Sequence, residues 1–151
     1  MAERARMSGD QVVLTSASTG LGGKRVLVCE DEAMTVLMVQ KALRRAGMEV
    51  IECVSDGEAA ISIARREKPD IVIMDLGLAG VDGIAAARRI LKQIETCLVF
   101  LSGHSDFITI EDALRAGAAV YLVKPVDSLS LIASLEKWCT TPLASRAVVA
   151  M

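Results

Sequence analysis

The sequence predicts an α/β protein: one parallel, doubly wound sheet of five strands with five helices on its two faces. Three observations predict it. Five short runs of apolar, largely β-branched residues recur along the chain, each too short to be a helix and each continuous rather than alternating, as strands buried on both faces are. A segment of helical length follows every run, and strict strand–helix alternation builds parallel sheets with right-handed crossovers. The chain is 52% hydrophobic but only 3% aromatic, so the core must be assembled from Val, Ile, Leu, Ala and Met.

Residues 1–23 are rich in Ser, Thr and Gly and lack sustained periodicity. They read as a flexible leader with a short strand at Val12 to Leu14. The segment GLGGK (20–24) resembles part of a phosphate-binding loop, but it lacks the full spacing and precedes a strand instead of following one, so it reads as a linker. RVLVCE (25–30) is the first strand, and Glu32 to Ala46 the first helix, stopped by Gly47. MEVIECV (48–54) is the second strand, followed by a helix from Gly57 to Glu67 that Pro69 ends. DIVIMD (70–75) and a helix from Gly83 to Ile94 come next, then TCLVFLS (96–102) and a helix from Ser105 to Ala116 closed by Gly117. AAVYLVK (118–124) and a helix from Ser128 to Cys139 complete the repeat, and residues 140–151 read as a loose tail. A single domain over residues 24–139 of the flavodoxin-like type, strand order 2-1-3-4-5, is the expectation.

Composition excludes some functions. A net charge of −2 and a pI near 5.5 supply no general attraction to nucleic acid or anionic lipid. No apolar run is long enough to span a bilayer, and Arg4 and Arg6 are not followed by the apolar segment of a signal peptide. Cys29, Cys53, Cys97 and Cys139 contain no C-x-x-C pair and sit mostly in apolar runs, so they read as reduced core residues, with a disulfide or metal framework the lesser alternative. A soluble, cytoplasmic chain is expected.

In open α/β sheets ligands bind beyond the carboxyl ends of the strands, where strand order reverses, here between the first and third strands. The first strand ends at Glu30–Asp31 and the third at Asp75; Ser102 ends the fourth, and Lys124, followed by Pro125, ends the fifth. Two carboxylates about 4 Å apart repel by roughly 4 kcal/mol at an effective dielectric near 20, so crowding them calls for a cation. Hard oxygen ligands suit Mg²⁺, and a lysine supplies a point charge for a phosphoryl group.

Glu30, Asp31, Asp75, Ser102 and Lys124–Pro125, each at the end of its expected strand, resemble the receiver domain of two-component response regulators. The resemblance implies that Asp75 is the phosphoacceptor, taking a phosphoryl group from a phosphohistidine on a histidine kinase or phosphotransfer protein. Glu30, Asp31, Asp75 and the main-chain carbonyl of Gly77 would hold Mg²⁺. Lys124 and Ser102 would contact phosphoryl oxygens, and Ser102 and Tyr121 would switch the surface of the fourth helix, fifth strand and fifth helix toward a downstream protein. It further implies a cis Lys124–Pro125 peptide, and loss of the phosphoryl group to water, so a timed switch rather than a turnover enzyme. Ala79 stands where the family usually has proline, and the family tunes phosphate lifetime through the positions occupied here by Gly77 and His104.

Competing readings are a degenerate receiver that acts only as an interaction module and, more distantly, a haloacid-dehalogenase-type phosphatase, whose second Asp is replaced here by Gly77. Asp31 could also be merely the cap of the first helix, and His104, the only histidine, an exposed loop side chain. Between Met34 and Val39 only Thr35 is polar, a stripe wider than one buried face needs; it is extra core or a contact with a partner or second copy.

Overall fold

The computed structural model describes residues 6–8, 11–13, 20–140 and 148–150. Among the described residues, eight strands and five helices follow in chain order: β1 (Arg6–Ser8), β2 (Gln11–Val13), β3 (Arg25–Cys29), α1 (Ala33–Arg45), β4 (Glu49–Val54), α2 (Gly57–Glu67), β5 (Ile71–Met74), α3 (Gly83–Gln93), β6 (Cys97–Ser102), α4 (Phe107–Arg115), β7 (Val120–Val123), α5 (Ser128–Trp138) and β8 (Val148–Ala150). Strands β3 to β7 correspond to the five expected from sequence and form a parallel sheet in the order β4-β3-β5-β6-β7, the predicted 2-1-3-4-5.

Two features add to that plan. β8, in the stretch read as a tail, extends the sheet by pairing in parallel with β7. β1 and β2, in the stretch read as a leader, form a separate antiparallel pair. Residues 1–5, 9–10, 14–19, 141–147 and 151 of those two stretches, Leu14 among them, lie outside the described residues.

Each central strand buries both faces, because a period of two sends alternate side chains to opposite layers. Val26, Val28, Ile71, Ile73, Val99, Leu101, Val120 and Leu122 join Val39, Leu43, Leu131 and Leu135 in one core. Leu27, Cys29, Val72, Met74, Leu98, Phe100 and Tyr121 join Ala60, Ala64, Ala86, Ile90 and Ala113 in the other. Thus α1 and α5 cover one face and α2, α3 and α4 the other. Small residues on α2 and α3 let those helices lie close to the strands.

The helix starts are written locally. Asp56, Asp82, Asp106 and Asp127 cap α2, α3, α4 and α5, each accepting a backbone N–H of the first turn. Gly47 and Gly117 take positive φ just beyond α1 and α4, as a left-handed helix exit requires.

The cysteines correct one expectation. Cys97, at the start of β6, and Cys139, at the C-cap of α5, are joined in a disulfide with Cα atoms 5.6 Å apart. Sequence spacing cannot reveal this, because 42 positions separate the pair and only the packing of α5 beside the start of β6 brings them together. Cys29 and Cys53 remain free thiols. Burial, with a smaller contribution from Cys53, pushes the Cys29 thiol far above its ordinary pKa, so it acts as a small core hydrophobe.

Candidate functional site

β3 lies between β4 and β5, so the chain winds to one side of it and then to the other; the crevice opens at the carboxyl ends of β3 and β5. Cys29 and Met74 are register partners at those ends. The next residues, Glu30–Asp31 and Asp75, therefore arrive side by side. One carboxylate oxygen of each lies within 4.8 Å of the others. Together with Gly77, Ser102, His104 and Lys124 they line a cleft of about 350 Å³.

The cation demanded by this crowding is partly built in. Lys124 follows the last residue of β7, and its Nζ lies 2.9 Å from Glu30 Oε1, 3.8 Å from Asp75 Oδ2 and 3.7 Å from Glu32 Oε1. The Glu30 side chain is only 3% exposed. Burial raises its pKa, opposed by the bond from Lys124 and the N–H of Glu32. For Lys124 burial acts to lower the pKa, but the bond to Glu30 and the charges of Asp75, Glu30 and Glu32 outweigh it, so the ammonium is held above its usual range.

Glu32 caps α1 by position, without a side-chain bond to the helix backbone. Its carboxylate accepts the Thr35 hydroxyl and faces Lys124, and the hydroxyl bond, with that charge behind it, lowers its pKa. Asp31 is therefore not the helix cap, which removes the structural alternative for it.

The resident acids fit a divalent cation. Three hard carboxylates against one ammonium leave net negative charge, and the separation of their oxygens suits a single ion bridging them. The loop that follows Asp75 is pinned at several points. Ala79 pairs with the β4–α2 turn through Ala79 N–H to Ser55 O and Gly57 N–H to Ala79 O, and Gly83 N–H donates to Leu76 O. Gly77, between these anchors, stands at the cleft, where a Cβ would meet only Asp75 Oδ2 at 3.9 Å.

Ser102 is fully buried at the cleft floor, its Oγ accepting the His104 N–H at 3.2 Å. Tyr121 lies turned inward, fully buried, and its hydroxyl donates to His104 O at 2.7 Å. The backbone of His104 thus bridges the two switch candidates, while its side chain is exposed. Burial raises the Tyr121 pKa, keeping the phenol a donor. The Lys124–Pro125 peptide is cis, turning the chain from β7 toward α5.

Sequence reading did not single out Glu32 as a partner of Lys124, the His104 backbone, or Gly83. A Cβ at Gly83 would come within 2.6 Å of Asp75 O and 2.7 Å of Leu76 Cα. Its one local signal is the Asp82–Gly83 pair at a helix start.

Residues 26–136 match the family model described as the response regulator receiver domain. The chain is 39% identical over 113 residues to the transcriptional regulatory protein PdtaR of Mycobacterium tuberculosis, covering 75% of this chain and 55% of that protein. It is 31% identical over 116 residues to the chemotaxis protein CheY of Thermotoga maritima, covering 76% and 97%. It therefore spans about half the length of PdtaR but nearly all of that CheY. Among solved structures, the receiver domain of a Pseudomonas aeruginosa sensor histidine kinase, with magnesium coordinated in its active-site cleft, superposes with a TM-score of 0.72 at 29% identity, covering 80% of this chain and 100% of that one.

Proposed function

The chain belongs to the response regulator receiver family, and from that premise we propose that it is a phosphoaccepting switch with Asp75 as acceptor. The observation that carries this reading is the convergence of Glu30, Asp31 and Asp75 within 4.8 Å, with the Lys124 ammonium 3.8 Å from Asp75. An Asp75 carboxylate oxygen attacks the phosphorus of a partner's phosphohistidine. The O–P bond forms as the N–P bond breaks, and the imidazole leaves with its ring nitrogen pair restored. Such a transfer is mostly positioning and charge neutralisation.

Lys124 shifts from the acids toward the incoming phosphoryl oxygens, and Ser102 donates its hydroxyl to another. Mg²⁺, bound by Glu30, Asp31, Asp75 and the Gly77 carbonyl, would neutralise charge on the phosphoryl group. The open position at Gly77 leaves Asp75 approachable by water, which returns the chain to its resting state. Ser102 and Tyr121 share the His104 backbone, so movement of one changes the bonds of the other. Through them the α4–β7–α5 surface would carry the state of Asp75 to a downstream protein or along a phosphorelay.

Partner docking would use α1. Met34 and Leu37 are 74% and 45% exposed, and Met34, Met38, Leu101, Pro125 and Val126 line an apolar groove of about 470 Å³ that reaches Lys124. A histidine-bearing helix of a kinase or phosphotransfer protein fits there, with a second copy of the chain as the other occupant. V36E/L37E in a folded chain should abolish kinase phosphotransfer. Among the described residues no helix is long and apolar enough to cross a membrane, and a cytoplasmic site of action suits such a partner.

The direct test is incubation with Mg²⁺ and acetyl phosphate followed by intact mass measurement. One added phosphoryl group on the native chain and none on Asp75→Asn supports the acceptor role. No adduct at short times, with Mg²⁺ binding also absent, would establish the phosphorylation-independent interaction module instead.

A further inference from the structure

β7 would be the open edge of the sheet if the domain ended with α5. Its sequence, Val-Tyr-Leu-Val, carries no charge and no proline, and a bare apolar edge is a template for pairing with another chain. The structure covers it with the chain's own β8, in the register Val120 to Val148, Tyr121 to Val149 and Leu122 to Ala150. β8 also lies against α4. The same face leaves large apolar side chains bare at the first turns of its helices, Phe107 and Ile108 on α4 and Leu129 on α5, at 75%, 69% and 84% exposure.

The covered strand is wired to the cleft. Tyr121 is the middle residue of the paired stretch, its hydroxyl is held by the His104 carbonyl, and the His104 N–H is held by Ser102. Lys124, one position beyond β7, reaches Glu30 and Asp75. A change in charge at Asp75 therefore pulls on the middle and the carboxyl end of β7, while a strand of three residues has few hydrogen bonds with which to resist.

We infer that Val148–Ala150 is a removable plug: it pairs in cis with the β7 edge, holds the α4–β7–α5 surface closed, and leaves when Asp75 is phosphorylated, freeing the edge for an extended segment of another protein. The plug itself stands on the strand pairing alone; only its release rests on the phosphoacceptor reading.

Hydrogen exchange read by mass spectrometry tests both parts on the full-length chain and on V148P/V149P, which removes both backbone donors whichever one pairs. Each is measured with and without Mg²⁺ and acetyl phosphate, with phosphoryl content weighed in the same samples. In the variant, Val120–Val123 should exchange about tenfold faster while Val26–Cys29 and Ile71–Met74 are unchanged. The phosphorylated native chain should move toward the variant. Equal exchange at β7 in the two chains overturns the plug. So does acceleration throughout the sheet, which would make β8 an integral strand. A phosphorylated native chain with β7 exchange unchanged overturns release, whereas failure to gain a phosphoryl group counts against the acceptor reading and leaves the variant comparison standing.

Discussion

Replacing Gly83 with Ala sets two effects of opposite sign against each other. Gly83 opens α3, and Ala in place of Gly in a helix is worth up to about 1 kcal/mol. Against this, the added methyl would sit 2.6 Å from Asp75 O and 2.7 Å from Leu76 Cα. Both neighbours are backbone, held by Asp75 N–H to Cys29 O and Gly83 N–H to Leu76 O, so neither can rotate aside. Overpacking costs about 1–3 kcal/mol, and a clash against backbone on both sides belongs to the upper part of that range, so the clash wins by about 1–2 kcal/mol. For a domain of this size that lowers the melting temperature by roughly 4–8 °C. The same displacement moves Asp75 against the other acids by a fraction of an ångström, and acetyl phosphate labelling should slow by about tenfold. Gly77→Ala is the control: its methyl meets only Asp75 Oδ2 at 3.9 Å, so its stability should stay within about 0.5 kcal/mol. Melting curves and labelling rates decide. A Gly83→Ala chain that melts and labels like the native one would refute the close approach of α3 to the acceptor loop.

Lys124→Met keeps the apolar stem but strands the buried Glu30 carboxylate, at a cost of about 3 kcal/mol, the low end for breaking a buried pair because Lys124 is 20% exposed. Saturating Mg²⁺ should then raise the melting temperature more in this variant than in the native chain, since the metal replaces the missing cation. Reducing the Cys97–Cys139 disulfide reopens a loop spanning 42 positions and should cost about 2–4 kcal/mol; thiol counting before and after reduction, alongside melting, checks it. Acid should loosen α4 and α5 first. The Thr109 hydroxyl and N–H lower the Asp106 pKa, and the Ser130 N–H and side chain lower that of Asp127. Their contribution is complete above the ordinary value of 3.8 and is lost as pH falls through the depressed folded values. D106N/D127N, which keeps acceptor oxygens without the charge, should flatten the stability profile below about pH 4.

Sequence by itself determined the strand–helix alternation, the order of the parallel sheet and the positions from which Glu30, Asp31, Asp75, Ser102 and Lys124 meet. Those depend on patterns a few residues long: a continuous apolar run stops where its strand leaves the core, and a polar residue at that stop is delivered to the sheet's carboxyl edge. The four aspartate caps, which the sequence reading did not single out, likewise rest on local pattern. Tertiary structure alone decided that Lys124 is already paired with Glu30, that the His104 backbone links Ser102 to Tyr121, that Gly83 admits α3 to the back of Asp75, that Cys97 meets Cys139, and that Val148–Ala150 covers the β7 edge. Except for the link from Ser102 to His104, these contacts join residues many positions apart. Their distances are set by how helices seat on a twisted sheet, a property of the packed whole that no short stretch of sequence carries.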